Sequence, residues 1–164
     1  LRRFLPKRVR PVANAVADCG VGKKYKNIRL EKMPAFGALI CYEIIFPDEV
    51  INRDNPPQWL VVLTNDGWYG NSAGPYQHLV AAQMRAVEEG VTIVRSANSG
   101  ISAVINPMGE VIKEIPLGKQ GIADVKLPYH LKVFTLYSYI GGKTINAFML
   151  LILCALLKIL FVKR

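Results

Sequence analysis

The chain has 164 residues, with 21 Lys and Arg against 12 Asp and Glu and a formal net charge of +9. This length suits one domain of ordinary size or part of a larger one. The three cysteines, Cys19, Cys41 and Cys154, form no C-x-x-C pair and have no histidine cluster nearby. The sequence therefore disfavours a metal site and a disulfide framework.

The positive charge is concentrated at the start of the chain. Residues 1–32 carry ten Lys and Arg against two acidic residues, whereas the remainder is nearly neutral. A basic segment can hold nucleic acid or an anionic membrane surface, or it can be a solvated loop. No aromatic-interleaved basic motif or recognition helix accompanies it. We interpret residues 1–34 as a basic loop segment and expect no nucleic-acid partner.

A short apolar run after Pro34 ends at a cysteine, and residues 35–43 read AFGALICYE. Such a run is typical of a buried strand. A thiol at the end of a strand can face a cleft on a rigid backbone, as a covalent nucleophile requires. Cys41 can also be a small core hydrophobe, which is the commoner case for a free cysteine. This window alone leaves both interpretations open.

The middle of the chain alternates predicted strands and helices, which is typical of an α/β domain. The patterns predict a short helix at 47–52, a strand at 59–64, a helix at 75–89, a strand at 91–95, a hairpin of 101–105 with 110–115, and a last strand at 121–127.

Three of these strands end in polar clusters. The clusters are Cys41-Tyr42-Glu43, Asn65-Asp66-Gly67-Trp68 and Arg95-Ser96-Ala97-Asn98. Sites in α/β sheets gather at the carboxyl ends of strands, where loops meet in a cleft. We therefore expect the three clusters to belong to one site.

The end of the chain carries a membrane signal. Residues 147–157 are eleven consecutive apolar residues, and Lys158 and four more apolar residues follow. Because about 20 residues cross the hydrocarbon layer, a transmembrane helix over 144–162 requires the Lys158 ammonium to reach toward the headgroups. Lys163 and Arg164 would place this end in the cytoplasm. An interfacial helix or a buried core helix is the alternative.

In their order and spacing, five motifs resemble the nitrilase superfamily and, within it, the bacterial apolipoprotein N-acyltransferases. They are ICYE at 40–43, TNDGWYG at 64–70, GPYQH at 74–78, RAVE at 85–88 and RSANSGISAV at 95–104. Soluble nitrilases share the Cys-Tyr-acid element but not a terminal membrane helix, which favours the acyltransferases. The resemblance implies an α/β fold: residues 35–130 as the C-terminal part of a nitrilase-type α-β-β-α sandwich, followed by the transmembrane helix.

The resemblance also implies a reaction and a place. Cys41 would take an acyl chain from a membrane phospholipid as a thioester and pass it to the N-terminal diacylglyceryl-cysteine of an apolipoprotein. Thiolate nucleophiles of this kind need no cofactor or metal. The catalytic domain would face the periplasm, anchored in the inner membrane with a cytoplasmic C-terminus.

The same resemblance suggests roles around the nucleophile. The Tyr42 backbone N–H would serve the oxyanion, and Glu43 would support the site unless it is a plain strand-end carboxylate. Trp68 and Tyr69 would line the acyl pocket, or merely anchor their loop. His78 is expected to be structural. Residues expected to fix the loops are Asn65, Asp66, Glu88, Arg95 and Asn98.

One departure from the family matters. Its catalytic Glu and Lys lie N-terminal to the cysteine, and no residue before Cys41 fits their motifs. We therefore expect this sequence to be an incomplete and inactive part of the enzyme. Two alternatives stay open, a soluble-type carbon-nitrogen hydrolase (amidase or nitrilase) and a non-catalytic membrane-anchored remnant.

Overall fold

The computed structural model describes residues 27–128, 131 and 135–162, without the side chains of residues 143 and 159–162. Most of the basic segment 1–34, including Cys19, lies outside the described residues, as do Lys163 and Arg164. The described part contains five strands, two α-helices and two short 3₁₀ turns. The strands are β1 (Phe36–Ile40), β2 (Trp59–Asn65), β3 (Thr92–Asn98), β4 (Ser102–Ile105) and β5 (Val111–Ile115); the helices are α1 (Gly74–Glu89) and α2 (Leu136–Val162).

The strands form one mixed sheet in the order β1-β2-β3-β4-β5. β1, β2 and β3 are parallel, whereas β4 and β5 continue the sheet as an antiparallel hairpin. The register aligns Ile40 with Leu63 and Leu63 with Ser96, so the three parallel strands end at the same edge. The predicted strands at 59–64 and 91–95 and the predicted hairpin are confirmed.

Helix α1 confirms the prediction for 75–89 and covers one face of the sheet. Pro75 lies in its first turn, and Gly90 ends it in the left-handed conformation, donating its N–H to the Ala86 carbonyl. Its buried side includes Leu79, Ala82 and Ala86. These side chains join a single core with residues from the sheet, among them Leu39, Leu60, Val62 and Ile93.

The opposite face of the parallel strands is largely open. Ala38, Ile40, Leu63 and Ser96 alternate with the core residues, and all four are exposed. Parallel sheets are normally covered on both faces. This face is therefore suited to pack against a further layer.

Two predicted elements are wrong. Residues 47–52 form turns rather than a helix, because Asp48 has φ +66°, a value that an α-helix does not accept. Residues 121–127 form no strand; the alternation of apolar and polar residues there is not matched by pairing with another strand. The sequence also gave no sign of the two 3₁₀ turns, Cys41–Ile45 and Asp66–Tyr69.

Helix α2 begins at Leu136, eight residues before the predicted start at 144, and bends at Gly141, which has φ +75°. Among the described residues, no single helix is long and apolar enough to cross a membrane. The segments Leu136–Gly142 and Thr144–Lys158, bent by 58°, meet that length and composition test only together. Every described side chain from residue 144 to 158 is exposed.

Candidate active site

Cys41 follows β1 directly and opens the first 3₁₀ turn. Its φ is +52°, in the left-handed region that non-glycine residues rarely adopt. Such a conformation costs on the order of 1–3 kcal/mol and persists only where the surroundings fix it. The cysteine is free and partly exposed. It is thus not a fully buried core residue, and its thiol is held at the end of a rigid strand.

Glu43 closes the same turn. Its Oε2 accepts a hydrogen bond from the Ile40 N–H at 2.6 Å, while the side chain stays exposed. A charged acceptor makes such a bond stronger than a neutral one would. Through this hydrogen bond, Glu43 fixes the backbone of Ile40, the residue before the cysteine. A part in the chemistry stays a prediction for Glu43, as it does for the Tyr42 N–H.

A hydrogen bond between two tyrosine side chains connects the Cys41–Ile45 turn to the Asp66–Tyr69 turn. The Tyr69 hydroxyl donates to the Tyr42 hydroxyl at 2.7 Å, and the ring centroids are 6.3 Å apart. This hydrogen bond, with burial as a smaller cause, raises the pKa of Tyr69 to about 12. Two of the three predicted polar clusters therefore meet through their aromatic side chains.

A buried group of ionisable side chains lies beside the two tyrosines. Asp66 accepts hydrogen bonds from the Thr64 hydroxyl at 3.0 Å and from Arg95, and its Oδ1 lies 2.9 Å from Nδ1 of His78. The Arg95 Nε also donates to the Ile101 carbonyl at 3.1 Å. Asp66, His78 and Arg95 are all almost fully buried. We call these three residues the Asp66 cluster.

The Asp66 cluster reaches the Cys41–Ile45 turn through His78. The imidazole stacks on the Tyr42 ring with centroids 5.7 Å apart, and it meets the Tyr69 ring edge-on at 6.1 Å. Burial lowers the pKa of Arg95, while Asp66 and, more weakly, Cys41 act in the opposite direction. Because a guanidinium remains protonated in proteins, Arg95 is a fixed positive charge within electrostatic range of Cys41.

The remaining predicted residues of this edge have different surroundings. Asn65 caps the Asp66–Tyr69 turn by accepting the Gly67 N–H at 3.0 Å. Trp68 projects into solvent with 88% of its surface exposed. Asn98 lies opposite Asn65 in the sheet register and is also exposed. The structure thus brings these three to the edge where Cys41 lies, and of them Asn65 has a contact that fixes its turn.

Glu88 is not brought to this edge. It lies at the end of α1, just before the start of β3, whereas Cys41 follows the end of β1. Its carboxylate pairs with Arg85 one turn earlier, at 2.8 Å. Burial raises the pKa of Glu88, and Arg85 opposes that shift.

Two glycines that were not among the predicted site residues leave room for neighbouring side chains of the site. A Cβ at Gly74 would collide with the Tyr69 ring, and one at Gly100 would collide with the Asp66 side chain and with Ala97. Both lie within the GPYQH and RSANSGISAV motifs, so the signal was present in the sequence. Within the described ranges, no group of three or more His, Cys, Asp or Glu side chains is arranged to hold a metal ion.

The sequence of this chain is similar to those of known proteins. A family profile described as carbon-nitrogen hydrolase matches residues 2–131. The chain is 50% identical over 115 residues to a protein of Rhodopseudomonas palustris named apolipoprotein N-acyltransferase, covering 70% of this chain and 21% of that protein. A protein of the same name from Bradyrhizobium diazoefficiens is 54% identical over 108 residues, covering 66% and 20%. The chain therefore spans about a fifth of the length of the curated relatives it matches.

A solved structure supports the fold independently. A CN-hydrolase superfamily protein from Xanthomonas campestris aligns with a TM-score of 0.51 and 20% identity, covering 62% of this chain and 43% of that one. The resemblance expected from the five motifs, to acyltransferases of this superfamily, is confirmed. Since the family profile matches most of its length, the chain belongs to the carbon-nitrogen hydrolase family.

Proposed function

We propose that this chain carries the nucleophile of an apolipoprotein N-acyltransferase. The whole enzyme would move a fatty acyl chain from a membrane phospholipid to the N-terminal diacylglyceryl-cysteine of an apolipoprotein. The observation that carries this proposal is the position of Cys41, free and partly exposed at a strand end with φ +52°. Glu43 and Tyr42 tie its turn to the surrounding structure. The names of the relatives point to the same chemistry.

The reaction would proceed in two steps. The Cys41 thiolate attacks the ester carbonyl carbon of the phospholipid; a C–S bond forms, the ester C–O bond breaks and the lysophospholipid hydroxyl leaves with a proton. The free amine of the acceptor then attacks the thioester carbonyl carbon; an amide C–N bond forms, the C–S bond breaks and the thiol is regenerated with the amine proton. Each tetrahedral intermediate needs a hydrogen-bond donor, which the Tyr42 N–H would supply. Trp68 and Tyr69 would border the acyl chain.

The rest of the fold would come from a second sheet. The exposed face at Ala38, Ile40 and Leu63 is apolar, and a parallel sheet in an α/β protein is normally covered on both sides. We propose that a second sheet packs on this face and completes the α-β-β-α sandwich. Residues 35–130 would then be one half of the domain.

The C-terminal part of α2 would anchor the domain in the inner membrane. Apolar side chains from Phe148 to Leu157 are exposed around the helix, an arrangement that lipid tolerates and water does not. Lys158 would have to lie near an interface, because an ammonium at mid-bilayer costs about 2.5–3.5 kcal/mol. The segment 144–162 would then cross the membrane, with the catalytic domain periplasmic and the C-terminus cytoplasmic.

A chimeric enzyme tests the proposed activity. Residues 27–162 of this chain replace the matching segment of the Rhodopseudomonas palustris relative, and the chimera is placed in phospholipid vesicles with a diacylglyceryl lipopeptide. We expect the lipopeptide to gain one amide-linked acyl chain, Cys41→Ser to abolish the product, and the matched variant Cys154→Ser to leave it unchanged. Release of free fatty acid without acylated lipopeptide would instead support the soluble-type hydrolase.

Residues 1–164 by themselves are expected to be inactive in the same assay. The family's catalytic Glu and Lys have no match in this sequence, and general acid–base and oxyanion groups each contribute roughly 10²–10⁴-fold to rate. Measurable N-acylation by the purified 164 residues would contradict this expectation. A chimera that is inactive as well would favour the non-catalytic remnant.

A further inference from the structure

A second group of charged side chains lies where α1 ends and α2 begins. Arg53 donates through Nη2 to Oδ1 of Asp48 at 2.8 Å and to Oε1 of Glu89 at 3.1 Å. Through Nη1 it donates to the backbone carbonyls of Tyr137 at 2.9 Å and Ser138 at 2.7 Å. We call Asp48, Arg53 and Glu89 the Arg53 joint. One guanidinium thus connects the loop after the nucleophile turn, the end of α1 and the first turn of α2.

Asp48 holds the far side of the bend in α2. Its Oδ1 accepts the Gly142 N–H at 2.9 Å, immediately after the break at Gly141. A Cβ at Gly142 would lie only 2.9 Å from the other oxygen of Asp48. The joint therefore makes hydrogen bonds to the helix on both sides of its bend. A glycine at position 142 is needed because a Cβ there would crowd the Asp48 carboxylate.

The joint is only partly shielded from water. The Glu89 side chain is completely buried, whereas Asp48 and Arg53 retain 17% and 28% of their side-chain exposure. Burial raises the pKa of Glu89, and Arg53 counteracts it. The Tyr137 ring also lies below the guanidinium, 5.4 Å from Cζ to the ring centroid. Arg53 is thus fixed by charge, hydrogen bonds and a ring contact together.

Beyond the bend, the helix has little else to hold it. The described side chains from 144 to 158 are exposed, so the direction of this segment is set at the bend. Thr135 adds one contact before the bend, its hydroxyl donating to the Glu88 carbonyl. Asp48 lies three residues after the turn that carries Cys41. The covalent path from nucleophile to joint is therefore short.

We propose that Arg53 is a positioning residue that fixes the angle between the catalytic domain and α2, and so places the Cys41 cleft at the height of a membrane-bound acyl donor. This inference rests on the proposed function, because it assumes that α2 lies in lipid and that Cys41 accepts an acyl chain. Arg53 itself takes no part in bond making. Its loss should impair reaction with a donor held in the membrane far more than reaction with a donor free in water.

The test compares two donors in the chimera. Cys41 acylation is followed by mass spectrometry with long-chain phosphatidylethanolamine in proteoliposomes, and with monomeric dibutyrylphosphatidylcholine in solution. We expect Arg53→Met to slow acylation from the vesicles at least about tenfold and to change the rate with the soluble donor less than about threefold. Arg29→Met, which removes an exposed arginine outside the joint, is expected to leave both rates unchanged. Equal slowing with both donors, or no slowing with vesicles, would overturn the proposal.

Amide hydrogen exchange separates this result from failure of the proposed function. The Gly142 amide should exchange at least about tenfold faster in Arg53→Met and Asp48→Asn, while the amides of Val62 and Ile93 in the core sheet keep their protection. If the unsubstituted chimera forms no thioester from either donor, the proposed function fails. Amide hydrogen exchange of Gly142 then tests by itself whether Arg53 fixes the bend of α2. Unchanged Gly142 exchange would then overturn it, and faster exchange with an intact core would support it.

Discussion

The Asp66 cluster lies at the carboxyl ends of the parallel strands, and the Arg53 joint lies at their amino ends. The two groups differ most in their access to water. In the Asp66 cluster the side chains of Asp66 and Arg95 are fully buried, and their partners are core residues of strands and α1. In the Arg53 joint two of the three side chains remain partly exposed, and the partners include the backbone of a projecting helix. We infer that the Asp66 cluster holds the turns around Cys41 in place, whereas the Arg53 joint sets the direction of α2.

This difference has an energetic consequence. A buried ion pair is strongly destabilising to break, because the remaining charge loses its partner in a medium that cannot solvate it. A partly exposed pair can recover water around the remaining charge, and dissolved salt screens it. The two groups should therefore respond differently to the same kind of substitution.

The largest effect is expected in the Asp66 cluster. Asp66→Asn keeps the shape of the side chain but leaves Arg95 without its counter-charge, and we expect the free energy of unfolding to fall by about 3–5 kcal/mol. Urea unfolding of the chimera, followed by the near-ultraviolet circular dichroism of its aromatic residues, measures this. A loss below about 1 kcal/mol would show that the cluster does not depend on the charge of Asp66.

The Arg53 joint should give a smaller and salt-sensitive effect. We expect Asp48→Asn to lower the free energy of unfolding by roughly 0.5–1.5 kcal/mol at low ionic strength, since the hydrogen bond from Arg53 then goes to a neutral oxygen in place of a charged one. At molar salt, where the Debye length falls to about 3 Å, this difference should shrink. The same salt series with Asp66→Asn serves as the control, and its difference should stay constant. Equal salt dependence of the two variants would remove the distinction between the groups.

How far the sequence predicted these two regions differs as well. The ends of β1, β2 and β3 and the whole of α1 follow from apolar runs, Pro75 and Gly90, which are local signals. The meeting of the polar clusters followed from the rule that parallel strands end at one edge. Both predictions needed only short-range patterns and a general property of α/β sheets.

The Arg53 joint could not be predicted in this way. Arg53 bonds to residues 84 and 85 positions further along the chain, and nothing in its own neighbourhood marks it. The pattern at 47–52 even favoured a helix, which the left-handed conformation of Asp48 excludes. The bend at Gly141 was also missed, since the pair Gly141-Gly142 lies just before the predicted helix. Contacts of this kind become visible only when distant segments are folded together.

The smallest effect concerns the tyrosine pair that connects the two turns. In Tyr42→Phe, the Tyr69 hydroxyl loses its partner, so the pKa of Tyr69 should fall from about 12 toward 10. Because the folded-state pKa is the higher one, the stabilisation by this bond is complete below about pH 10 and is lost as the pH rises toward 12. Tyrosinate absorbance of the chimera against pH measures the shift, and Tyr76→Phe is the matched control on an exposed tyrosine of α1. A Tyr69 titration that is the same in both variants would contradict the hydrogen bond.

We propose that Cys41 is the residue that becomes acylated. The most direct measurement is peptide mapping of the chimera after incubation with phosphatidylethanolamine vesicles and no acceptor. We predict an acyl thioester on the peptide containing Cys41, removed by neutral hydroxylamine, and a loss of several orders of magnitude in transfer rate for Cys41→Ser. A thioester mapped to Cys154, or one that persists in Cys41→Ser, would contradict the account.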